Sequence, residues 1–208
     1  MATKKKRLPK ANGNRIGSVS DKMLEVALDL FSEKDYAAVT ISEIAKKSGV
    51  THALVYYYFQ NKEQIFHSAI QNSITQTVHN YNAVKERHDN PVDLLNDWLD
   101  NNIQLSGSLR KLVKIMFDYS ENRGRSPSVE KDIEKFYDQE NTIIADCIRD
   151  GIRLKLFKKT DPKKAARFVS THIDGIFYGS IVRSDVKIAQ SMTELKKALW
   201  AQLGYTPG

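Results

Sequence analysis

Apolar residues recur at helical spacing along nearly the whole chain. Met23, Val26, Ala27, Leu30 and Phe31 fall at i, i+3, i+4, i+7 and i+8, one face of an amphipathic helix. Asp21 stands near its start, where a carboxylate suits the free backbone N–H groups. Asp35 and Tyr36 lead into a short break. Thr40-Ile41-Ser42-Glu43 has the form of a capping box, with Thr40 as N-cap and Glu43 three residues on. Ile41, Ile44 and Ala45 supply the inner face of a short second helix. Ser48-Gly49-Val50 ends it, Gly49 providing the left-handed backbone of a tight turn. Thr51 caps a third short helix that runs to Phe59.

After Gln60-Asn61-Lys62 a long helix turns Ile65, Phe66, Ala69 and Ile70 to one side and stops at His88-Asp89-Asn90-Pro91. Five more helices follow. Leu94, Leu95, Trp98 and Leu99 open one; Leu109, Leu112, Val113, Met116 and Phe117 stripe the next. Asn122 to Pro127 reads as a polar loop. Val129, Ile133, Phe136, Tyr137, Ile144, Cys147 and Ile148 mark a long helix. Asp161-Pro162 starts another, with Asp as N-cap and Pro at the first helical position, extending to about Arg183. Met192 to Leu203 is the last. No run alternates with period two for long enough to build a sheet, so the expected fold is all-α with about nine helices.

Composition narrows the picture. The 208 residues are 41% hydrophobic and 27% charged, enough for a real core. Cys147 is the single cysteine, so no intrachain disulfide can form, which suits a reducing compartment. The residues after Arg7 are polar rather than signal-like, and no apolar run approaches 18 residues. The expectation is a soluble cytoplasmic protein with no membrane partner. The net charge of +7 is unevenly placed: residues 1–20 carry +6 and no acid, whereas residues 21–67 sum to −2. The basic character therefore belongs to an arm, residues 1–16, suited either to tracking phosphates or to solvation alone.

Three short helices with a glycine turn between the second and third describe a helix-turn-helix. Ala45, four residues before Gly49, allows close crossing, and Val55, six after it, plugs the seam. The surrounding residues are more specific. Thr40, Ile44, Ala45, Gly49, Val50, Thr51, Tyr56, Tyr58, Phe59, Lys62 and Glu63 fall without gaps on the pattern T-x-x-x-I-A-x-x-x-G-V-S/T followed by L/V-Y-x-Y/H-F-x-x-K-E-x-L. This stretch resembles the TetR family of bacterial repressors over residues 17–77, about a third of the chain. One departure is Ala53, where family members often carry Gly; its methyl would narrow the approach to base edges but could touch a thymine methyl.

The resemblance implies a dimeric repressor with a DNA-binding domain over 17–77 and a ligand-binding and dimerisation domain over 78–208. Thr40 and Thr51, at helix N-termini, can hold phosphate oxygens as well as cap. Tyr56 and Tyr57 offer phenol hydroxyls to phosphates or bases, and Tyr56 is the expected phosphate contact. Phe59 and, for the most part, Tyr58 are expected inward. His52 and Ala53 lie where bases are read, and Lys62, by resemblance, clamps the DNA backbone. In this family the last two long helices form the dimer interface, and Gly175 and Gly179 are the small residues expected there.

Residues 78–208 contain no catalytic signature, neither a nucleotide-binding loop nor paired cysteines, and the five histidines are dispersed. Glu63 and His67 are spaced i, i+4 but lack further ligands, so no metal and no cofactor is expected. Trp98, Met116, Phe117, Tyr119, Phe136, Tyr137, His172 and Phe177 are the candidates to line a pocket for an apolar or aromatic small molecule, against the alternative of an ordinary core. Asp174, with His172, is a polar group in an otherwise apolar helix, able to orient a ligand or pair with a neighbouring helix. Two functions stay open: a repressor released from a palindromic operator by a small-molecule inducer, and a DNA-bound structural or cell-division partner of the same fold without one.

Overall fold

The computed structural model describes residues 19–121 and 127–206. The basic arm and most of the loop expected after Asn122 lie outside the described residues. Among the described residues there are nine α-helices and no strand: α1 (Val19–Glu33), α2 (Ile41–Ser48), α3 (His52–Tyr58), α4 (Lys62–Arg87), α5 (Pro91–Gln104), α6 (Ser106–Glu121), α7 (Pro127–Arg153), α8 (Pro162–Val182) and α9 (Ile188–Leu203). A 3₁₀ turn, Tyr36–Ala38, joins α1 to α2. No described helix is long and apolar enough to cross a membrane.

The helix ends follow the sequence chemistry. Asn61 accepts from the Gln64 N–H at 2.8 Å, and Gln64 Oε1 in turn accepts from the Gln60 N–H at 2.6 Å, a reciprocal cap for α4. Asn90 caps α5 through the Val92 N–H, with Pro91 at the first helical position. Asp161 accepts from the N–H groups of Lys163 and Lys164 and starts α8 ahead of Pro162. The box expected at α2 forms only in half. Thr40 Oγ1 caps Glu43, but the Glu43 carboxylate turns to Lys34 Nζ, 2.6 Å away at the end of α1.

α4 is the spine. It packs on α1 in the N-terminal unit and on α5, α6 and α7 beyond it, and it runs unbroken through residue 77, where the sequence reading draws a domain boundary. α8 lies against α6, α7 and α9, and α5 packs on α7 and α9. The core is continuous, from Met23, Leu30, Ile44 and Val55 through Ile65 and Ile70 to Trp98, Leu112, Ile148, Phe177 and Leu199. Cys147 is buried, donates to the Pro91 carbonyl, and burial pushes its thiol up to about 12. α7 and α8 are joined by a turn in which Lys155 adopts φ 61° and Phe157 folds back onto Gly151. A Cβ at Gly151 would stand 2.1 Å from that ring, so only hydrogen fits there.

Candidate functional site

The turn between α2 and α3 is built as its glycine requires. Gly49 sits at φ 71°, ψ 30°, its N–H returning to the Lys46 carbonyl at 3.2 Å while the Val50 N–H returns to Ala45 at 3.0 Å. Ala45 and Val55 are buried in the seam. Thr51 Oγ1 accepts from the Leu54 N–H at 3.2 Å, as Thr40 does from Glu43. Each threonine thus occupies one lone pair in capping, and its hydroxyl hydrogen remains to be donated outward from a helix N-terminus.

α3 has one inner side, filled by Val55 and Phe59. His52, Ala53, Tyr56 and Tyr57 all face solvent, with Tyr56 51% and Tyr57 69% exposed. The His52 ring stands edge-on to Tyr56, 5.0 Å between centroids, so the two form one outward unit. Tyr58 is more exposed than the sequence reading expects. On a two-turn helix Val55 and Phe59 fill the inner side and leave it at the margin, against Tyr57. The result is a convex ridge carrying phenols, an imidazole and one methyl, flanked by two helix N-termini. Such a ridge can offer hydrogen-bond donors to phosphate oxygens and reach base edges.

Lys62 differs from the expectation of a DNA clamp. Its ammonium donates to three carbonyls of its own chain, Tyr36 at 2.8 Å, Val39 at 3.0 Å and Ala37 at 3.3 Å, and lies 4.4 Å from the centre of the Tyr36 ring. The physical reason is local. The segment after α1 brings three carbonyls to one point, and an ammonium has three donors. Lys62 therefore ties the α1–α2 connection to the first turn of α4.

In the second half, Trp98, Met116, Tyr119, Phe136 and Phe177 are core residues and Tyr137 is half-buried. Phe117 and His172 turn outward instead. Leu112, Met116 and Tyr119 take the inner stripe of α6, leaving Phe117 44% exposed beside Tyr178. His172 is exposed, and its Nδ1 bonds to the Phe168 carbonyl. A cleft of about 310 Å³ opens between α1, the 3₁₀ turn, α4 and α6, lined by Phe31, Tyr36, Phe66, Ile115 and Tyr119. Another of about 380 Å³ lies between α4 and α7, with Gln71, Asp132 and Lys135 in its wall. Of the eight expected pocket residues, Tyr119 alone lines either cleft.

The interior between α4, α5, α7 and α8 holds a polar network that the sequence reading largely missed. Tyr81 OH lies 3.0 Å from Asn102 Oδ1 and 3.4 Å from Glu140 Oε1. Ser170 Oγ donates to the other oxygen of Glu140. Asp174 lies one turn further along α8, where the Tyr137 phenol acts on its carboxyl. Glu140 is 4% exposed. Burial pushes its carboxyl up to about 7, with Asp174 adding to the rise and the bonds from Ser170 and Tyr81 opposing it. Asp174 is raised to about 6 by burial, against the bond from Tyr137. The Trp98 indole N–H, fully buried beside Tyr81, has no acceptor. Among the described residues no group of His, Cys, Asp and Glu side chains is arranged to hold a metal ion.

Of the two residues expected at a dimer interface, Gly175 opens on free space. Gly179 does not: Arg183 and Val186 of its own chain cover it, so its small size already has a reason within the protomer.

Comparison with known proteins places this geometry. Residues 23–69 match the family model for bacterial regulatory proteins of the tetR family. The chain is 31% identical over 103 residues to the biofilm operon icaADBC HTH-type negative transcriptional regulator IcaR of Staphylococcus epidermidis. That match covers 50% of this chain and about half, 48%, of that relative. Among solved structures, a SmeT–triclosan complex superposes with a TM-score of 0.73 at 21% identity, covering 88% of this chain and 90% of that one. A transcriptional regulator of Saccharomonospora viridis in complex with choline superposes at 0.70 with 20% identity, covering 86% and 93%. These likenesses extend the shared fold across both halves of the molecule. Residues 23–69 thus match the tetR family of bacterial regulatory proteins at the helix-turn-helix, and the nine described helices share the fold of these solved structures.

Proposed function

We propose that the protein represses transcription as a homodimer bound to a palindromic operator inside the cell, and that a small molecule taken up by the helical domain releases it. The observation that carries the DNA half is the outward ridge of α3. Four side chains suited to phosphate and base contact share one exposed face, and the inner face is closed by Val55 and Phe59. Tyr56 and the two capping threonines position the protein on phosphates, and His52 and Ala53 read bases.

The sensor half rests on α4. It starts beside the recognition helix and carries Tyr81 into the interior of the helical domain. A change there would tilt the helix that Lys62 ties to the α1–α2 connection and alter the separation of the two α3 ridges. Relatives of the same fold hold triclosan and choline, which supports reading this half as a receptor. Linkage then requires the ligand to bind the DNA-free state more tightly, by the factor it weakens operator binding.

The test is selection of genomic duplexes retained by the purified chain, followed by titration of a selected operator with and without candidate ligands. One recovered sequence with dyad symmetry and its release by a ligand are expected. Retention of DNA without sequence preference would overturn the repressor reading. Specific binding that no ligand of the helical domain changes would favour the structural-partner reading.

A further inference from the structure

The network between α4, α5, α7 and α8 lacks two things. Glu140 is a buried carboxyl and Asp174 a partly buried one on the adjacent helix, and the groups acting on them are Ser170, Tyr81 and Tyr137, with Asp174 also raising Glu140 and no cation among them. An unpaired buried carboxylate is strongly disfavoured, so the site takes either protons or a positive charge. Trp98 adds an independent signal. It shares a face of α5 with Asn102, four residues on, and Asn102 points to Tyr81 OH and donates to the Trp98 carbonyl at 2.9 Å. The indole packs 5.3 Å from the Tyr81 ring, is fully buried, and its N–H has no acceptor. The site is short of one cation and one acceptor, and three aromatic rings, Tyr81, Trp98 and Tyr137, stand around it.

We propose that this network is the receptor site of the helical domain and that its ligand is an organic ammonium ion bearing a hydroxyl or ether oxygen on a compact apolar body. The ammonium replaces the protons of Glu140 and Asp174, the oxygen accepts from Trp98, and the rings supply cation–π attraction. A metal ion fits less well, because the donors are two carboxyls spread among phenols, an amide and an indole. In this structure Tyr81, Trp98, Glu140 and Ser170 are closed in by packing, so a ligand reaches them by parting α7 from α4, the helix that runs to the DNA-binding ridge. Because the ligand binds the ionised carboxyls, affinity rises with pH through the range where Glu140 and Asp174 lose their protons, and binding releases protons.

This inference rests on the receptor reading above, and the experiment separates the two. Choline and its N-benzyl analogue are titrated calorimetrically into the wild-type chain, each beside the neutral analogue in which carbon replaces nitrogen. Expected are binding of at least one ammonium, at least about tenfold weaker binding of its neutral analogue, tighter binding at pH 8 than at pH 6, and proton release detected by changing the buffer. Glu140→Gln and Asp174→Asn, each nearly isosteric and checked for helicity, should each weaken the ammonium at least about tenfold. Failure of both ammonium ions to bind, equal binding of the neutral analogue, or indifference to both substitutions overturns the proposal. An ammonium that binds through Glu140 but leaves operator affinity unchanged would uphold this site and sink the ligand-released repressor. A neutral compound that releases the operator regardless of Glu140 would do the reverse.

Discussion

On the proposed reading, single side chains of α3 divide by what each would touch on DNA. Tyr56→Phe removes a phenol hydroxyl from an exposed ridge and nothing from the core. It should weaken all operators alike, by about tenfold, since a phosphate bond carries no sequence information. His52→Ala should instead relax preference at one symmetric base-pair position. Competition among operator variants measures both, and a Tyr56→Phe loss confined to one base position would assign it to base readout. Glu140 gives a residue-scale prediction about stability. Its carboxyl titrates near 4.5 in the unfolded chain and about 7 in the folded one. Folding is therefore undisturbed by it below pH 4.5, loses stability as pH rises from there to 7, and carries the full cost above. Glu140→Gln should raise the melting temperature at pH 8 by ~5 °C or more, from a cost of ~3 kcal/mol, and change it little near pH 4.5. Equal effects at both pH values would show that the carboxyl carries no such penalty. The position of Glu140 is legible in the sequence, because the stripe from Phe136 to Ile144 passes through it at i+4. Its partners are not, since Tyr81, Asn102 and Ser170 come from three other helices that only packing brings together.

At the scale of elements, capping chemistry made the helices readable. Thr40, Thr51 and Asp161-Pro162 mark starts, and Gly49 and His88-Asp89-Asn90-Pro91 mark stops, each for a reason local to a few residues. What spacing does not reveal is where a long flexible side chain goes. Lys62 stands at the position where the family pattern suggests a hold on DNA, yet its three donors close on Tyr36, Ala37 and Val39. The two roles predict different salt behaviour. If Lys62 acts through the α1–α2 connection, Lys62→Met should lower the melting temperature and operator affinity while leaving the slope of log affinity against log salt unchanged. A phosphate clamp would instead cost about one unit of that slope. Gly151 is not legible in the sequence for a similar reason: its need for hydrogen arises from Phe157, which returns only through the left-handed turn at Lys155.

Across the whole molecule, the proposed dimer and its DNA must fit together. Gly175 faces open space in the single chain, whereas Gly179 is covered from within. Gly175→Leu is therefore the sharper probe. The folded protomer can accommodate it, but a second copy packed on that face cannot. Sedimentation should show a helical monomer, and an intact dimer would put the interface elsewhere. The palindrome expected of the operator follows from that symmetry, with α3 ridges entering major grooves about 34–36 Å apart or a multiple of it. The most direct test of the account is fluorescence anisotropy of a selected operator duplex titrated with the wild-type chain and with His52→Ala/Tyr56→Ala. The wild type should bind in multiples of two chains per duplex, with affinity falling steeply as salt rises. The double variant, equally folded and equally dimeric, should lose operator preference and most of its affinity. Undiminished specific binding by that variant would contradict the assignment of α3 as the surface that reads DNA.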